Sequence, residues 1–453
     1  MAIFGLALFS IALIFAGAGS ILNFLFPLAA FAIGIYLYFR APILYIGFTW
    51  WMWFLTPLVR RLADWQGRYT EPSPLLLAPF LVTAITVVTL WRNLPVFFRR
   101  GGIPFILPLV GVVYAIAVGA IFQTPPNVVV RGLDWICPLF YAFHLFVNWR
   151  NYPTYRKSLQ RIFLWGVLIM GVYGVIQFII APPWEVLWLQ KSYFLSGSEG
   201  RPEEVGAFTI NVWSTMSSNR PFATVMMGGL ILLLANQSKG KLGLVATFFG
   251  YCSFLLSRKR IVWLTWIVAL LIYTFSLKSK NQKRTIITIA IIACIISVVA
   301  NLEPFSSFIS SRFASLSNLE GDASANARIW WFNLMIDAAL VSFLGRGIGG
   351  PSHDNGILAS LFNIGWLGIV FYFGGLLIAF INMFWGEKIN SDQFACASRS
   401  ISIAIFLEFP FGLPHVEASG MLLWGSIGVV LAAKKYHQYQ RKLKTLEDVE
   451  NLI

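Results

Sequence analysis

Long apolar stretches make up most of this sequence, and each is about as long as one crossing of a lipid bilayer. A crossing helix needs about 20 mostly apolar residues, because backbone amides in lipid must bond within the helix. The stretches lack the strict apolar–polar alternation of a membrane β-barrel. We therefore predict an all-α, polytopic transmembrane bundle of about 12–14 helices. The predicted spans are 2–18, 21–39, 43–59, 75–91, 103–122, 132–149, 162–180, 221–236, 242–257, 261–277, 285–301, 357–385, 397–412 and 417–433.

Two polar segments, 181–220 and 302–356, interrupt the apolar pattern. The second ends in a glycine-rich stretch, 345–356, directly before a long apolar run. A protein that consists mostly of membrane spans has few places for chemistry in water, so 302–356 is the first candidate for a reacting site. Its basic residues are Arg312, Arg328, Arg346 and His353, the last of these one of only four histidines.

Composition supports a membrane protein and changes the interpretation of the positive charge. Hydrophobic residues make up 58% of the chain and charged residues 12%, whereas soluble domains are about 25% charged. No hydrophilic segment is long enough to fold alone, so we expect a single membrane domain over 1–453. The net charge of +15 is expected in loops that face the cytoplasm, so no nucleic-acid partner is predicted. The four cysteines show no pairing or ligand spacing, so no metal and no cofactor is expected.

The positions of lysine and arginine orient the predicted spans. The C-terminal tail, 434–453, is basic and is therefore assigned to the cytoplasm. Counting back through the spans, the basic loops around 99–100, 150–161, 239–241 and 278–284 fall on the same side. Both termini are then cytoplasmic. The two long polar segments lie on the outer face.

Two basic clusters oppose this bias, because the same count places them outside. One is Arg60-Arg61, for which a wrong count of the early spans is the alternative explanation, and the other is the tight turn Ser257-Arg258-Lys259-Arg260. The turn has two interpretations that the sequence leaves open. It can be an exposed turn at the membrane interface, or it can hold an anionic ligand, since guanidinium forks match phosphate oxygens.

Topology brings three basic elements to the outer face: Arg220 at the start of a span, the Arg258/Arg260 turn, and the segment 302–356. Several arginines around one site suit a pyrophosphate, which carries several negative charges. For each arginine taken alone, contact with a lipid headgroup is the alternative.

The segment 327–344 has apolar residues at helical spacing, which predicts an amphipathic helix lying at the interface. Arg328 lies in its first turn. The glycines around Arg346 are then expected to form a flexible turn that brings His353 to the next span. The apolar positions are Ile329, Phe332, Ile336 and Leu340.

His353 is the candidate for proton transfer, since an imidazole with an ordinary pKa of about 6.5 can accept a proton near neutral pH. Asp354 and Asn355 can support it. Alternatively, one of them caps the next helix, and His353 is then incidental.

Other ionisable residues in or near spans are interpreted more simply. His144 and His415 are predicted to be packing residues. Asp134 and Glu408 are functional candidates because a carboxylate within a span is unusual, but two isolated acids do not form a proton relay.

Several motifs follow one another in a fixed order. A Ser-Arg turn precedes a span, an Arg-Ile-Trp-Trp helix follows in the long polar segment, and a Gly-Arg-Gly turn leads to His-Asp-Asn before a glycine-rich span. In this order they resemble the O-antigen ligase/polymerase superfamily of bacterial envelopes. Two departures are His-Asp-Asn where His-Asn is commoner, which leaves the position of the base open, and Arg260, which is an added basic candidate. The motifs are Ser257-Arg258, Ala327–Trp331, Leu344–Gly347, His353–Gly356 and Leu361–Gly368.

The resemblance implies a GT-C-type, metal-independent glycosyltransferase of the bacterial inner (plasma) membrane. Its donor would be an undecaprenyl-diphosphate-linked oligosaccharide, used at the periplasmic face, with 302–356 as the large periplasmic loop. Arginines matching Arg220, Arg258 and Arg328 would hold the diphosphate, and His353 would activate the acceptor hydroxyl. Arg260, Arg312 and Arg346 are further diphosphate candidates.

The acceptor separates two activities that share these features. A glycan acceptor makes the enzyme a polymerase, which we favour slightly, and a lipid A-core acceptor makes it a ligase. Besides the bilayer, a chain-length regulator and a flippase are implied as partners. The alternative from another class is a lipid-linked glycan flippase or other transporter, which would carry a polar cavity at the membrane midplane. A non-catalytic assembly subunit is the third interpretation.

Overall fold

The computed structural model of the protein describes residues 2–96, 101–196, 206–236, 240–301, 303, 306, 323–350, 355–386 and 389–450. Every regular element within these ranges is helical, and no strand occurs in them. In chain order the helices are α1 (Ala2–Phe15), α2 (Gly19–Arg40), α3 (Pro42–Gln66), α4 (Ala78–Ala84), α5 (Val87–Asn93), α6 (Ile103–Phe122), α7 (Pro125–Val147), α8 (Tyr152–Ile180), α9 (Pro183–Ser196), α10 (Asn219–Ala235), α11 (Gly240–Leu256), α12 (Arg260–Ser276), α13 (Ser279–Ala300), α14 (Ala323–Leu340), α15 (Gly356–Phe384), α16 (Gln393–Phe406) and α17 (Glu417–Glu450).

Eight helical stretches in the described part of the chain are long and apolar enough to cross a membrane. Four more apolar helices, of 10–17 residues, are shorter than a full crossing. The chain is therefore an all-helical, multi-pass membrane protein, as the apolar pattern predicts. The eight stretches are Gly19–Arg40, Pro42–Gln66, Pro74–Asn93, Ile103–Phe122, Pro125–Val147, Trp149–Ile180, Gly356–Phe384 and Gln393–Phe411.

The chain divides into two compact units. Unit 1 comprises Met1–Ile85, Lys157–Trp263 and Ile287–Asn318, and unit 2 comprises Thr86–Arg156, Leu264–Ile286 and Leu319–Ile453. The sequence-based assignment of one membrane domain with a loop at 302–356 stays a prediction.

The core of unit 1 forms where α2 packs on α3 and α10 packs on α11. Aromatic side chains fill the space beside α3, where the ring of Phe163 lies 4.8 Å from that of Trp50 and 5.6 Å from that of Phe54. Edge-to-face pairs of this kind stabilise beyond the apolar area they bury. These ring pairs fix the path of α3, which continues to Arg60 and Arg61 near its C-terminal end.

In unit 2 the main pairs are α6 with α15 and α7 with α17. Trp424 of α17 is completely buried, and its indole nitrogen donates to the hydroxyl of Tyr372 on α15 at 3.0 Å. A buried indole N–H needs such an acceptor, because leaving it without one is unfavourable. This bond therefore fixes α17 against α15.

Two predicted spans are less regular than the apolar pattern indicates. The predicted span 75–91 consists of a short 3-10 turn, Pro74–Leu77, followed by α4 and α5 with a break between them. The predicted span 357–385 is α15, whose helical geometry is interrupted at Gly365 with φ 62° and ψ 179°. Only glycine adopts this backbone geometry routinely.

Two polar stretches also differ in detail from what the sequence pattern predicts. The polar segment 181–220 contains a full helix, α9, which the apolar pattern does not reveal. The basic tail, 434–453, is not a separate extension, since α17 continues through it to Glu450.

Candidate functional site

Arg60 and Arg61, at the end of α3, are buried and paired with acids. Arg60 is 5% exposed and lies 3.2 Å from Asp64 and 2.5 Å from Glu71. Arg61 is 1% exposed and lies 2.9 Å from the carboxylate of Glu185 on α9. Pairing with these carboxylates explains how two arginines can lie at a position that the predicted distribution of basic residues does not favour. Glu185 could not be found from sequence, because 124 residues separate it from Arg61.

The Arg61 guanidinium uses all three of its nitrogens. Nε donates to Glu185, Nη1 to the carbonyl of Met216 at 2.6 Å, and Nη2 to the carbonyl of Ser214 at 2.5 Å. Glu185 also accepts from Tyr173 at 2.5 Å, on α8. A buried charge is stable only when its hydrogen-bonding capacity is met in this way.

The residues that Arg61 holds belong to the anchored segment, which we define as 212–216. Gln177 of α8 accepts from the backbone N–H groups of Trp213 at 3.1 Å and of Ser214 at 2.8 Å. The Ser214 hydroxyl donates to the carbonyl of Met170 at 2.7 Å. The Thr215 hydroxyl donates to α3, at the carbonyl of Phe54, at 2.5 Å. Helices α3 and α8 therefore fix an irregular stretch that leads to α10.

The anchored segment connects two of the predicted arginine positions. It leads to Arg220, which is half-buried in the first turn of α10. Its first residue, Val212, donates its N–H to the carbonyl of Leu256 at 3.1 Å. Leu256 is the last residue of α11 and lies two positions before Arg258. Unit 1 therefore links the approaches to Arg220 and Arg258 by a backbone hydrogen bond.

The turn between α11 and α12 has the tight form that the sequence predicts. The Ser257 hydroxyl donates to the carbonyl of Phe254 at 2.6 Å, and the indole of Trp263 donates to the same carbonyl at 3.3 Å. Arg258 has φ 55°, in the left-handed region, and its side chain is half-buried. This conformation costs a residue other than glycine about 1–2 kcal/mol. Arg260 is half-buried in the first turn of α12.

The glycine-rich turn of unit 2 is tightly packed, so its glycines have a role other than flexibility. A Cβ added to Gly345 would lie 2.6 Å from the backbone nitrogen of Gly365, and one added to Gly347 would lie 2.1 Å from that of Gly119. The backbone of Arg346 donates to the carbonyl of Phe362 at 2.6 Å. The Arg346 guanidinium is exposed and lies 5.0 Å from the centre of the Phe362 ring. The turn therefore holds Arg346 against α15.

Asn355 is the N-cap of α15. Its side-chain oxygen accepts from the N–H groups of Ile357 at 3.0 Å and Leu358 at 3.1 Å. Asn355 is therefore the capping residue that the alternative interpretation of this stretch predicts. His353, Asp354 and Arg312 lie outside the described residues, so their predicted roles stay predictions.

A helix is present in the predicted segment as α14, although it ends at Leu340, and its amphipathic, interfacial character stays a prediction. Ala339 belongs to a buried cluster with Leu358 of α15, and Ile336 packs against that cluster. Ile329, which the periodicity also placed on the apolar face, is 59% exposed. Arg328 lies in α14, and its side chain is outside the described part of the structure.

His415 and Asp134 are two further buried polar residues, both in unit 2. His415 is 0% exposed, and both of its ring nitrogens lack a hydrogen-bond partner among the described residues. Its ring lies 4.1 Å from that of Trp135 and is stacked on Phe409 at 5.2 Å. Burial lowers the pKa of His415 to about 3. Asp134, beside Trp135 on α7, has one carboxylate oxygen 3.4 Å from Arg131 and the other without a partner in the described chain.

Glu408, the other acid that the sequence analysis places in or near a span, is also buried. Its carboxylate accepts from the Thr265 hydroxyl at 3.3 Å. His144 lies within α7, and its Nδ1 is 2.6 Å from the Thr89 hydroxyl. Both His144 and His415 are embedded among core side chains, in keeping with their prediction as packing residues.

Asp392, which sequence reasoning missed, organises the start of α16. Its side chain caps the helix by accepting from Ala395 at 3.2 Å. It also accepts from Tyr152 at 2.7 Å and lies 3.0 Å from His437. Burial raises the pKa of Asp392, but the hydrogen bonds from His437 and Tyr152, together with the charge of Arg156, outweigh burial and lower it below its ordinary value.

A scan of protein-family models finds no match for this chain, and a comparison with curated proteins finds none either.

Proposed function

We propose that this protein is a membrane glycosyltransferase of the GT-C type that uses an undecaprenyl-diphosphate-linked oligosaccharide as donor. One observation carries the proposal. The approaches to Arg220 and Arg258 are joined by the Val212–Leu256 hydrogen bond, and Arg258 occupies a backbone position that favours glycine. Unfavourable backbone geometry at a non-glycine residue tends to be retained where the side chain has a function.

The arginines would act on the leaving group. When the acceptor oxygen attacks the anomeric carbon, the bond from that carbon to the diphosphate oxygen breaks, and the diphosphate leaves with the electron pair. Arg220, Arg258 and Arg260 stabilise the charge that develops there, which is the role that a metal ion has in other transferases. Arg328, Arg312 and Arg346 are the candidates from the predicted periplasmic loop.

His353 is proposed as the base. It takes the proton of the acceptor hydroxyl as the new glycosidic bond forms, which makes the oxygen a better nucleophile. Support for this assignment comes from the resemblance, because the cap that Asn355 forms on α15 is also expected when His353 is incidental.

The first experiment uses Arg258→Gly in the full-length protein, purified and reconstituted in nanodiscs with lipid-linked oligosaccharide. Glycine relieves the left-handed geometry, so we expect thermal stability equal to or above that of the wild type. Turnover should fall about 10–100-fold, the equivalent of one or two charged hydrogen bonds to the leaving group. Product formation is followed on gels.

Lys259→Ala is the matched control, because it removes a cation from the same turn without altering the left-handed position. Its turnover is expected to stay within about threefold of wild type, a difference of less than 1 kcal/mol in the barrier. Wild-type turnover in a folded Arg258→Gly variant would contradict the assignment of Arg258 to the diphosphate.

His353→Ala separates the two possible acceptors. In cells, loss of the long glycan ladder with a single capped repeat remaining would indicate a polymerase. Loss of every cap, with lipid-linked polymer accumulating, would indicate a ligase. An unchanged glycan profile in a well-expressed variant would exclude His353 as the base.

A lipid-linked glycan transporter is the second candidate, and the buried carboxylate of Asp134 is the observation that favours it. An acid within a candidate span can be part of an ion pathway. The nanodisc assay distinguishes the two candidates. A transporter leaves the glycan attached to its lipid diphosphate, whereas a transferase moves it to the acceptor.

A further inference from the structure

Arg61 is almost completely enclosed, yet it contacts the anchored segment, which leads to Arg220 and is hydrogen-bonded to Leu256 near Arg258. It is 1% exposed, and its nitrogens donate to Glu185, Ser214 and Met216. A ligand cannot reach a guanidinium that is enclosed to this extent. Any influence of Arg61 on a bound diphosphate must therefore act through the anchored segment.

The anchored segment contains backbone geometry that needs outside support. Five described residues other than glycine have positive φ, and Phe208, Ser214 and Arg258 are three of them. Such geometry persists only where surrounding contacts determine it. Ser214 is held on both sides, because its N–H donates to Gln177 and its carbonyl accepts from Arg61.

The same segment is connected to the two arginines by short lengths of chain. Met216, held by Arg61, lies four positions before Arg220, and Val212 bonds to Leu256, two positions before Arg258. A shift of the segment would therefore change the separation of the two guanidinium groups. A diphosphate has a fixed size, so its binding depends on that separation.

We propose that Arg61, together with Glu185, is a positioning residue that sets the distance between Arg220 and Arg258. The inference rests on the proposed function, in which these two arginines bind the diphosphate. The neighbouring Arg60 provides the contrast within the same helix. It is also buried and paired with acids, but its partners, Asp64, Thr70 and Glu71, lie outside the anchored segment.

The test compares Arg61→Lys with Arg60→Lys in the full-length protein. Lysine keeps the charge and can pair with a carboxylate, but it lacks the planar fork that reaches two carbonyls and an acid together. Spin labels at Ser218→Cys and Lys259→Cys, in a background without the native cysteines, report the distance between the two arginine-bearing stretches. Pulsed electron–electron double resonance then gives the distribution of that distance in nanodiscs.

We expect Arg61→Lys to broaden the distance distribution and Arg60→Lys to leave it as in the wild type. In the transfer assay, without spin labels, kcat/KM for the lipid-linked donor should fall about tenfold for Arg61→Lys only, as for the loss of one well-placed contact. An unchanged distribution and donor kinetics equal to those of Arg60→Lys would overturn the proposal, because Arg61 would then act on stability alone.

Two further variants keep the test decisive when Arg61→Lys does not fold. Glu185→Gln removes the charge that orients Arg61, and Gln177→Met removes the two hydrogen bonds on the other side of the segment. Each should broaden the same distribution, and narrow distributions in both would overturn the proposal. If the wild-type protein transfers no glycan while Arg61→Lys broadens the distance, the positioning role is intact and the proposed function is refuted.

Discussion

Two buried polar residues, Arg61 of unit 1 and His415 of unit 2, have opposite surroundings. Around Arg61, in unit 1, all three guanidinium nitrogens donate, and the bonds extend into the anchored segment. Around His415, in unit 2, both ring nitrogens lack a partner among the described residues, and the neighbours are aromatic rings. The first arrangement fixes the chain, whereas the second fills space. Burial alone therefore does not show which polar residues determine the structure of a site.

The largest expected effect is that of Arg61→Ala. It removes one member of a buried ion pair and leaves Glu185 and two carbonyls without their donor, so we expect a loss of about 3–5 kcal/mol in stability. Thermal unfolding in detergent micelles measures it. A loss below about 1 kcal/mol is typical of an exposed ion pair, and it would show that Arg61 does not fix the chain as the contrast with His415 requires.

Gln177→Leu tests the same segment from α8 and should be less severe. Its side chain accepts from two buried N–H groups, which would then have no acceptor, so a loss of about 2 kcal/mol is expected. The double variant with Arg61→Ala gives the coupling between the two anchors. Simple additivity there would contradict the view that they hold one segment, since coupled neighbours are not additive.

Acidification tests the His415 region. The unfolded imidazole takes up a proton near pH 6.5, but burial lowers the pKa of His415 in the folded protein to about 3. Between these values only the unfolded chain is protonated, so stability falls as the pH decreases from about 6.5 towards 3. At pH 5 the loss is about 2 kcal/mol.

His415→Phe is the control, since it keeps the aromatic contacts and has no proton to bind. Its stability at neutral pH should equal or exceed that of the wild type, and its decline between pH 7 and pH 5 should be smaller. Equal acid sensitivity in the two proteins would show that folding does not lower the pKa of His415.

The smallest expected effect comes from the first residues of two helices, α15 and α10, which lie near the proposed reacting groups in the sequence. Asn355→Ala removes a side-chain cap from α15 and should cost about 1 kcal/mol. Ser218→Ala, at the start of α10, should have almost no effect, because Ser218 makes no capping bond there. Chemical denaturation in mixed micelles measures both, and equal losses would show that α10 is fixed by its own cap and not by the anchored segment.

Hydropathy predicts helices well where a helix meets lipid on much of its surface. The span predicted at 103–122 coincides with α6, and that at 261–277 differs from α12 by one residue at each end. Such helices are determined by local composition, which a sequence displays directly. The helix α9 was missed because its apolar residues are interrupted by Glu185 and Lys191.

The contacts that give polar residues their roles could not be predicted in the same way. The Arg61–Glu185 pair joins residues that are far apart in the chain, and periodicity carries no information about such pairs. The turn at Ser257-Arg258-Lys259-Arg260 was predicted because apolar runs flank it on both sides. Its left-handed residue was not, because arginine is uncommon at a position that glycine occupies in most turns.

The interruption of α15 at Gly365 also affects how this helix fits a bilayer. At 1.5 Å per residue, the uninterrupted 29 residues of α15 would be about 43 Å long, well beyond the hydrocarbon thickness of about 30 Å. The part after the interruption, 366–384, is about 28 Å long and matches that thickness. The residues before Gly365, 356–364, then exceed the length that one crossing of the hydrocarbon needs.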